Sequence, residues 1–391
     1  MAASDRICET SQYTIIAVAT FLHRMSMIRK FTSRNLPVMT AGRVSQAVAA
    51  MIGIAGPMVL GYTAGHARLG VVASLGGLAL SGKRSAGTFP EQVRDLTYAL
   101  VAGSAAMFAG SSLSGHGMAT AFAIAAVSSV AGLLGSISRP LAQTAPLFML
   151  FTIIAANLDV GETHPLGVMF LFFLGGMWTA GVSLGLRPLL QGLGVAGSPD
   201  CPAVVVRPKY PAGLLLGRWM RSLTQLAGWR YTLRIALCLF IGVAFEWIWP
   251  HHHGYWVFIT IVIVVQRDLE EALKRTFRRA AGTLFGVLLT CPLVFAPASV
   301  WITIGIIAAA AARAFLLDGS YVAYTAVQTL LVILLLDFGQ APSWAVIADR
   351  LAATLVGCVL ALTAGYVGWS RISPQAPISV RAGEAKWPPI M

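Results

Sequence analysis

Residues 231–289 read YTLRIALCLFIGVAFEWIWPHHHGYWVFITIVIVVQRDLEEALKRTFRRAAGTLFGVLL, and this stretch decides the fold. Its first apolar run, 231–249, holds one cation, Arg234, and one acid, Glu246. The second run, 254–266, holds no charge at all, and a third begins at Ala280. Between the second and third lies a strip with Arg267, Lys274, Arg275, Arg278 and Arg279. Apolar segments of this length, separated by short polar turns, bury their surface in lipid, because a bilayer core takes about 20 apolar residues per helix.

The same alternation runs through the chain. Of 391 residues, 57% are hydrophobic and only 11% charged, and the mean hydropathy is +0.75. A soluble chain carries about 25% charged residues, which excludes an ordinary cytosolic enzyme. Twelve apolar segments fall in two groups of six. The first group is 44–63, 67–82, 96–113, 118–135, 141–157 and 165–186; the second is 231–249, 254–266, 280–296, 298–316, 320–337 and 345–369. Segments 67–82 and 254–266 are short for a span and need their flanks. Unpaired backbone groups in lipid cost several kcal/mol each, so helices are expected. The short alternating segments of a β-barrel are missing. The expected fold is an all-α polytopic membrane protein of about twelve transmembrane helices in two six-helix halves.

The net charge of +13 orients the bundle. Of the 28 Lys and Arg, all but Arg68, Arg234 and Arg350 fall in the two terminal segments and in alternate connections. The positive side is cytoplasmic, which places both termini inside. Residues 1–43 and 370–391 are then a cytoplasmic N-terminal segment and tail, and 44–186 and 231–369 the membrane halves. Residues 13–22 resemble a signal-peptide core with no clean cleavage site after it, so an interfacial helix or an early start codon (Met25, Met27 or Met39 being alternatives) is expected instead. The linker 187–230 holds Pro188, Pro199, Pro202, Pro208 and Pro211. It ends in a stripe of Leu215, Trp219, Leu223 and Leu226 beside Arg218, Arg221 and Arg230, the pattern of an interfacial amphipathic helix. Residues 267–279 have a similar stripe, with Glu270–Lys274 and Glu271–Arg275 at helical pair spacing. The five cysteines are scattered, with no disulfide or CxxC metal spacing.

Two levels of repetition are legible. Arg279-Ala-Ala-Gly-Thr-Leu-Phe-Gly286 and Arg350-Leu-Ala-Ala-Thr-Leu-Val-Gly357 share the pattern R-x-x-[GA]-T-L-x-G, and upstream Tyr255–Gln266 matches Tyr324–Leu335. The copies are three spans apart and so point in opposite directions, as in the inverted three-helix repeats of secondary transporters. The halves also echo one another: Arg43 opens span one as Arg234 opens span seven, and Arg94 precedes span three as Arg278 precedes span nine.

These residues carry a resemblance. Arg234 opening a span, Gly254-Tyr255-Trp256, Thr260 in an apolar run, Gln266 at its end, and then Arg279, Gly282, Thr283 and Gly286 together resemble the fusaric acid resistance (FUSC) family, also called aromatic acid exporters. Arg350, Thr354 and Gly357 resemble the family's closing span. The resemblance is clearest over the second half. It implies a multi-pass bacterial inner-membrane exporter of aromatic or other weak carboxylic acids, driven by the proton gradient; a related branch comprises plant organic-anion channels. The chain departs from larger bacterial members in its short linker, where they carry a sizeable cytosolic domain. Span three also lacks the Gly-Thr motif, which casts the first half as part scaffold.

Export of an organic anion needs a cation to grip the carboxylate, and a guanidinium does so through two parallel hydrogen bonds. Arg234, Arg279 and Arg350 are the candidates; their bland reading is snorkelling or topology. Thr283 and Thr354 are candidates for a polar path, or for bonds between helices. Gly282, Gly286 and Gly357 suit close helix packing. Trp256, with Tyr255, either stacks on an aromatic substrate or anchors at the interface. Proton coupling needs an intramembrane acid, and of Glu246, Asp337 and Asp349 the candidates are Glu246 and Asp349. Glu246 also reads as a headgroup-level residue beside Trp247 and Trp249. His251-His252-His253 reads as a solvated turn, and no metal or other cofactor is expected. Nor is a nucleic-acid partner, and no nucleotide-binding motif is present. The expected partners are a small organic acid and membrane lipid, with a homo-oligomer left open. Proton-coupled export of weak organic acids is the expected function; a gated organic-anion channel and a non-transport membrane scaffold are the alternatives.

Overall fold

Long apolar stretches interrupted by Gly, Pro and charged turns give helices, because each backbone amide in lipid must find its partner inside its own segment. The computed structural model describes residues 41–81, 89–158, 160–161, 163–192, 212–248, 254–265, 269–294, 299–316, 319–336, 338, 344–367 and 369. All the regular structure there is helical. Six helices form the first half: α1 Ala41–Thr63, α2 Ala67–Ser81, α3 Phe89–Leu113, α4 Met118–Leu134, α5 Arg139–Asn157 and α6 Pro165–Gly192. After α7, Ala212–Leu223, come α8 Leu226–Ile248, α9 Tyr255–Val264, α10 Leu269–Val294, α11 Ser299–Leu316, α12 Tyr321–Leu336 and α13 Trp344–Leu362. A π-helical turn, Thr363–Val367, closes α13. Residues 1–40, the linker stretch 193–211, His251–His253, Gln266, Asp337 and the tail 370–391 lie outside the described residues.

All twelve expected segments are helical. Six helices are long and apolar enough to cross a membrane by themselves: Val44–Thr63, Phe89–Leu113, Arg139–Asn157, Pro165–Leu186, Gly228–Ile248 and Ile347–Val367. The protein is therefore an all-helical polytopic membrane protein. Its outside is as apolar as its inside, with Leu60, Val101, Phe170, Leu288 and Val359 each more than half exposed. In water such a surface would associate; in lipid it is solvated. The shortest apolar helix, α9, has ten residues, about 15 Å at 1.5 Å per residue, half the bilayer core. It is enclosed on nearly all sides, with Trp256–Val262 buried.

Some boundaries differ from the sequence expectation. Helix α3 starts at Phe89 rather than at 96, α6 continues past 186 to Gly192, and α8 begins at Leu226, inside the expected linker. Polar and basic residues at a membrane surface do not stop a helix; hydropathy marks where lipid ends. The turns are local. Ser138 caps α5, its hydroxyl accepting from the Leu141 amide at 3.5 Å with Pro140 in the first turn. Between α3 and α4, Gly115 and Gly117 take φ of 83° and 58°, which side-chain-bearing residues rarely adopt.

The packing partners follow one scheme in each half. In the first, α1 lies on α2, α3 on α5 and α6, α2 on α6, and α4 on α5. In the second, α8 lies on α9, α10 on α12 and α13, α9 on α13, and α11 on α12. The halves meet where α4 packs on α8, α11 on α1, and α9 on α5. Lipid gives helices no hydrophobic drive to associate, so small residues must let backbones approach. A Cβ placed on Gly286 would meet the Ala326 carbonyl oxygen at 2.5 Å and Thr329 at 2.7 Å. One placed on Gly357 would meet Thr260 at 2.7 Å and the Val257 carbonyl oxygen at 3.1 Å. Both are seats for a threonine on the neighbouring helix.

Valine at Gly286 or Gly357 is therefore expected to cost about 1–3 kcal/mol of stability, the range for overpacking. Alanine at Gly181, whose position faces open space, is expected to be neutral or slightly stabilising. Thermal unfolding in detergent, followed by circular dichroism, checks the contrast. Equal melting of all three variants would refute it.

Candidate functional site

Four arginines are buried: Arg234 at 3% exposure, Arg350 at 5%, Arg313 at 6% and Arg279 at 7%. All four belong to the second half, and among the described residues no acidic side chain is buried with them. In the first half the buried polar side chains are Ser and Thr only, again among the described residues. A guanidinium removed from water costs several kcal/mol unless its N–H groups find acceptors, so the surroundings of each define what it can do.

Arg234, in α8, donates from Nε to the Gly365 carbonyl at 2.6 Å. That oxygen belongs to the π turn after α13, where the wider hydrogen-bonding loop suits a carbonyl to an outside donor. One turn on, Cys238 Sγ lies 3.7 Å from the Leu360 carbonyl, so the same face of α8 is docked along the end of α13.

Arg350 lies near the other end of α13, some 15 residues away, or about 22 Å along the axis. Its guanidinium carbon stands 3.6 Å from the centroid of the Trp256 ring, a cation–π contact in a site without bulk water. Trp256 is itself buried, and its neighbour Tyr255 tilts over it at 4.8 Å. The indole thus covers Arg350, and its position is interior rather than at the aromatic belt. The belt is represented by Trp247, exposed at 73% at the end of α8.

Helix α10 sets Arg275, Arg279, Thr283 and Gly286 along one side, at intervals of three and four residues. They face the start of α12. Arg275 Nε donates to the Tyr321 hydroxyl at 3.3 Å, and its guanidinium lies 5.2 Å from that ring. Arg279 lies close enough to Tyr321 and Tyr324 to interact with both electrostatically, and Cys358 of α13 is also near. Its Nε is enclosed and has no hydrogen-bond partner among the described residues. Thr283 Oγ1, and from α12 Thr325 Oγ1, Thr329 Oγ1 and Gln328 Oε1, are enclosed in the same unpartnered state. Thr354 differs, because its hydroxyl donates back to the Arg350 carbonyl of its own helix at 2.9 Å.

The two candidate acids are placed apart from the Arg279 cluster. Glu246, near the end of α8, turns inward while Trp247 and Ile248 face out. Its Oε2 is enclosed without a hydrogen-bond partner among the described residues, beside Gly254. Asp349 is half-buried next to Arg350. The candidates therefore form separate places rather than one pocket: Arg234 with Gly365, Arg350 with Trp256, and Arg279 with the two tyrosines.

Sequence reasoning missed Arg313, which it took for a topology marker closing the tenth span. Its Nη1 donates to the Ser81 hydroxyl at 3.0 Å and the Leu78 carbonyl at 3.3 Å, both at the end of α2, and its Nε donates to the Tyr324 hydroxyl at 3.4 Å. Tyr321, Tyr324, Thr325 and Gln328 were missed with it. The signal available was their polarity inside an apolar run. The stripe of Leu215, Trp219 and Leu223 on α7 is partly buried against the bundle, Trp219 Nε1 donating to Ser136 Oγ at 2.9 Å. Leu214, Leu216 and Met220 are exposed instead.

Comparison with known proteins finds its match over the residues that carry the motifs. Residues 213–364 match the family described as fusaric acid resistance protein-like. The inner membrane protein YccS of Escherichia coli (strain K12) is 28% identical over 141 residues, which are 36% of this chain and 20% of that one. The uncharacterized protein slr1298 of Synechocystis is 29% identical over 137 residues, 34% of this chain and 18% of that one. The chain thus spans about a fifth of the length of these curated relatives. No solved structure matches it. The fold and these matches define a multi-pass inner-membrane protein. The matched residues, 213–364, take in α7 and most of the second half, and all four buried arginines lie within them.

Replacing Arg234 with Gln removes a charged donor from the Gly365 carbonyl and is expected to cost about 1.5–3 kcal/mol. The check is a lowered unfolding midpoint in detergent. An unchanged midpoint would mean that the contact with the π turn contributes nothing.

Proposed function

We propose that the chain exports weak organic acids, aromatic carboxylates in particular, across the inner membrane in exchange for inward protons. The observation that carries this reading is the burial of four guanidiniums in an apolar interior with no buried acid among the described residues. Such an interior is unfavourable to cations and receptive to a small anion. Arg279 and Arg350 are the anion-holding residues, with Arg234 bracing α8 against α13. Thr283 and Thr354 continue each arginine's face one turn on, and Trp256 covers Arg350. Glu246 and Asp349 carry the proton.

In this reading the chain has twelve spans, 44–186 and 231–369 being the two membrane halves and 187–230 the linker, with both termini cytoplasmic. Within the second half, α8–α10 and α11–α13 are inverted repeats. The reciprocal seating of Thr329 on Gly286 and of Thr260 on Gly357 supports this, because each repeat's glycine receives the other's threonine. The same exchange relates the packing of α10 on α12 to that of α13 on α9. Inverted repeats supply two related conformations and so a route for alternating access. The pairing scheme shared by the halves supports a second duplication, of the six-helix half, in which the first half kept the frame without buried charge.

The test is retention of labelled 4-hydroxybenzoate in loaded cells with and without the protein, in the presence and absence of a proton uncoupler. Faster loss that the uncoupler abolishes is the expected result. Loss that persists down a fixed gradient would mean a channel, and no difference would mean a scaffold. Arg279→Lys keeps the charge and loses the planar fork; a fall in efflux of about tenfold, or roughly 1.4 kcal/mol, is expected. Efflux equal to that of the wild type would exclude bidentate recognition at this position.

A further inference from the structure

The cluster at one end of α10 and α12 offers hydrogen-bond donors in excess of acceptors. Arg275, Arg279 and Arg313 lie around Tyr321 and Tyr324. The phenol oxygens are already used as acceptors, Tyr321 from Arg275 Nε and Tyr324 from Arg313 Nε. A phenol that accepts in this way keeps its own O–H to donate. Neither O–H meets an acceptor in the cluster among the described residues. Arg279 Nε is enclosed and equally without a partner, on a side chain 93% buried. Two phenolic O–H groups and one guanidinium N–H of this cluster are thus without an acceptor among the described residues.

No ion pair to a carboxylate neutralises the three guanidiniums among the described residues. Arg313 is anchored from the other half of the molecule, through Ser81 Oγ and the Leu78 carbonyl. Its orientation is thus fixed by α2 while its Nε side faces α12. The first turn of α12 adds the positive end of a sixteen-residue helix. Below Arg279 the polar atoms of Thr283, Thr325, Gln328 and Thr329 continue along the α10–α12 seam, also without partners.

We propose that Arg313, Arg279, Tyr321 and Tyr324, held by Ser81 and Leu78 of α2, form a binding site for the carboxylate of a small organic acid. Arg313 and the two tyrosines are specificity residues that no sequence motif marks. The site rests on the transport reading for its purpose, and places the loading step at this end of α10. The carboxylate accepts from Arg279 Nε and from the two phenols, which leaves the guanidinium of Arg313 as a fixed counter-charge. A carboxylate has two oxygens and four lone-pair positions, enough for three donors. The tyrosine rings supply a flat wall for an aromatic acid.

The experiment is equilibrium binding of labelled 4-hydroxybenzoate to the full chain in phosphatidylcholine nanodiscs. Saturable binding is expected, weakened about tenfold in Tyr324→Phe, the size of one hydrogen bond to a charged group, and at least as much in Arg313→Gln, which removes the counter-charge. Tyr324→Phe retains the ring, so its unfolding midpoint should stay within a few degrees of the wild type while binding falls. Inorganic phosphate at the same concentration should displace little label, and exchange of the nanodisc lipid for phosphatidylglycerol should not matter. Wild-type binding in both variants, or no saturable binding at all, would overturn the site. Displacement by phosphate or phosphatidylglycerol as effective as by 4-hydroxybenzoate would overturn the carboxylate assignment and mark a phosphate or lipid-headgroup pocket. Binding that persists without protein-dependent efflux leaves this site standing and removes the transport reading. Efflux undiminished in both variants does the reverse.

Discussion

Positive charge inside an apolar bundle is the constraint on which the second half of this protein depends. Each buried guanidinium has to be satisfied without a carboxylate nearby, and the fold meets that demand in different ways. Arg234 and Arg313 use helix C-termini. The last carbonyls of a helix lack intrahelical donors and carry its partial negative charge, so Gly365 and Leu78 are natural acceptors. Arg350 uses the face of an indole. Arg279 is the exception, with neighbours that are themselves donors and an Nε left over. The anchored arginines hold helices together; the remaining one keeps an Nε without an acceptor among the described residues.

That division depends on close packing. Arg279 and Arg350 can sit opposite tyrosine and tryptophan only because the helices carrying them touch their partners one or two turns further on. The touching points are Gly286 under Thr329 and Gly357 under Thr260. A larger residue at either glycine would push α10 from α12 or α13 from α9 and open the arginine's surroundings to lipid or water. The glycines and the arginines of the R-x-x-[GA]-T-L-x-G pattern are thus one device, at seven-residue spacing on a single helix face. This explains physically why the pattern could be picked out in a sequence where Gly, Ala and Leu are otherwise abundant.

Hydropathy made the helices legible, and all twelve apolar segments are helices. Their ends were less so, because Phe89, Gly192 and Leu226 lie where apolar character has faded but nothing breaks the helix. The site was legible in part. Arg279, Arg350 and Arg234 stood out as charges within or beside apolar runs carrying a repeated motif. Arg313 did not, since an arginine closing an apolar run is also what a topology signal looks like. Its partners Leu78 and Ser81 are more than 230 residues away in the chain, and only the packing of α2 near α11 reveals them. Trp256 lies seven residues after Trp249, in the membrane-edge stretch that also holds Trp247, so its surroundings in the sequence suggested the interface. Burial of eight of the ten residues of α9 moves it inside.

The two ends of the α9–α13 bundle are unequal in this structure, and the inequality has a direction. At Arg350 the guanidinium face is covered by Trp256, with Tyr255 stacked behind it. At Arg279, the corresponding residue of the other motif, the position aligned with Trp256 is Thr325, which is too small to cover a guanidinium. The phenol aligned with Tyr255 is Tyr324, which turns its hydroxyl to Arg313 instead. One arginine is therefore faced by an indole and the other by phenols. In a pair of inverted repeats, equal sequences would give two interchangeable ends. Here the substitution of tryptophan for threonine at one aligned position makes them different, with an indole over the guanidinium at the Arg350 end and none at the Arg279 end. Reaching the second site requires Trp256 to give up its contact with Arg350. On the export reading, that exchange of an indole for a substrate ring is the step at which an aromatic acid would be favoured over an aliphatic one.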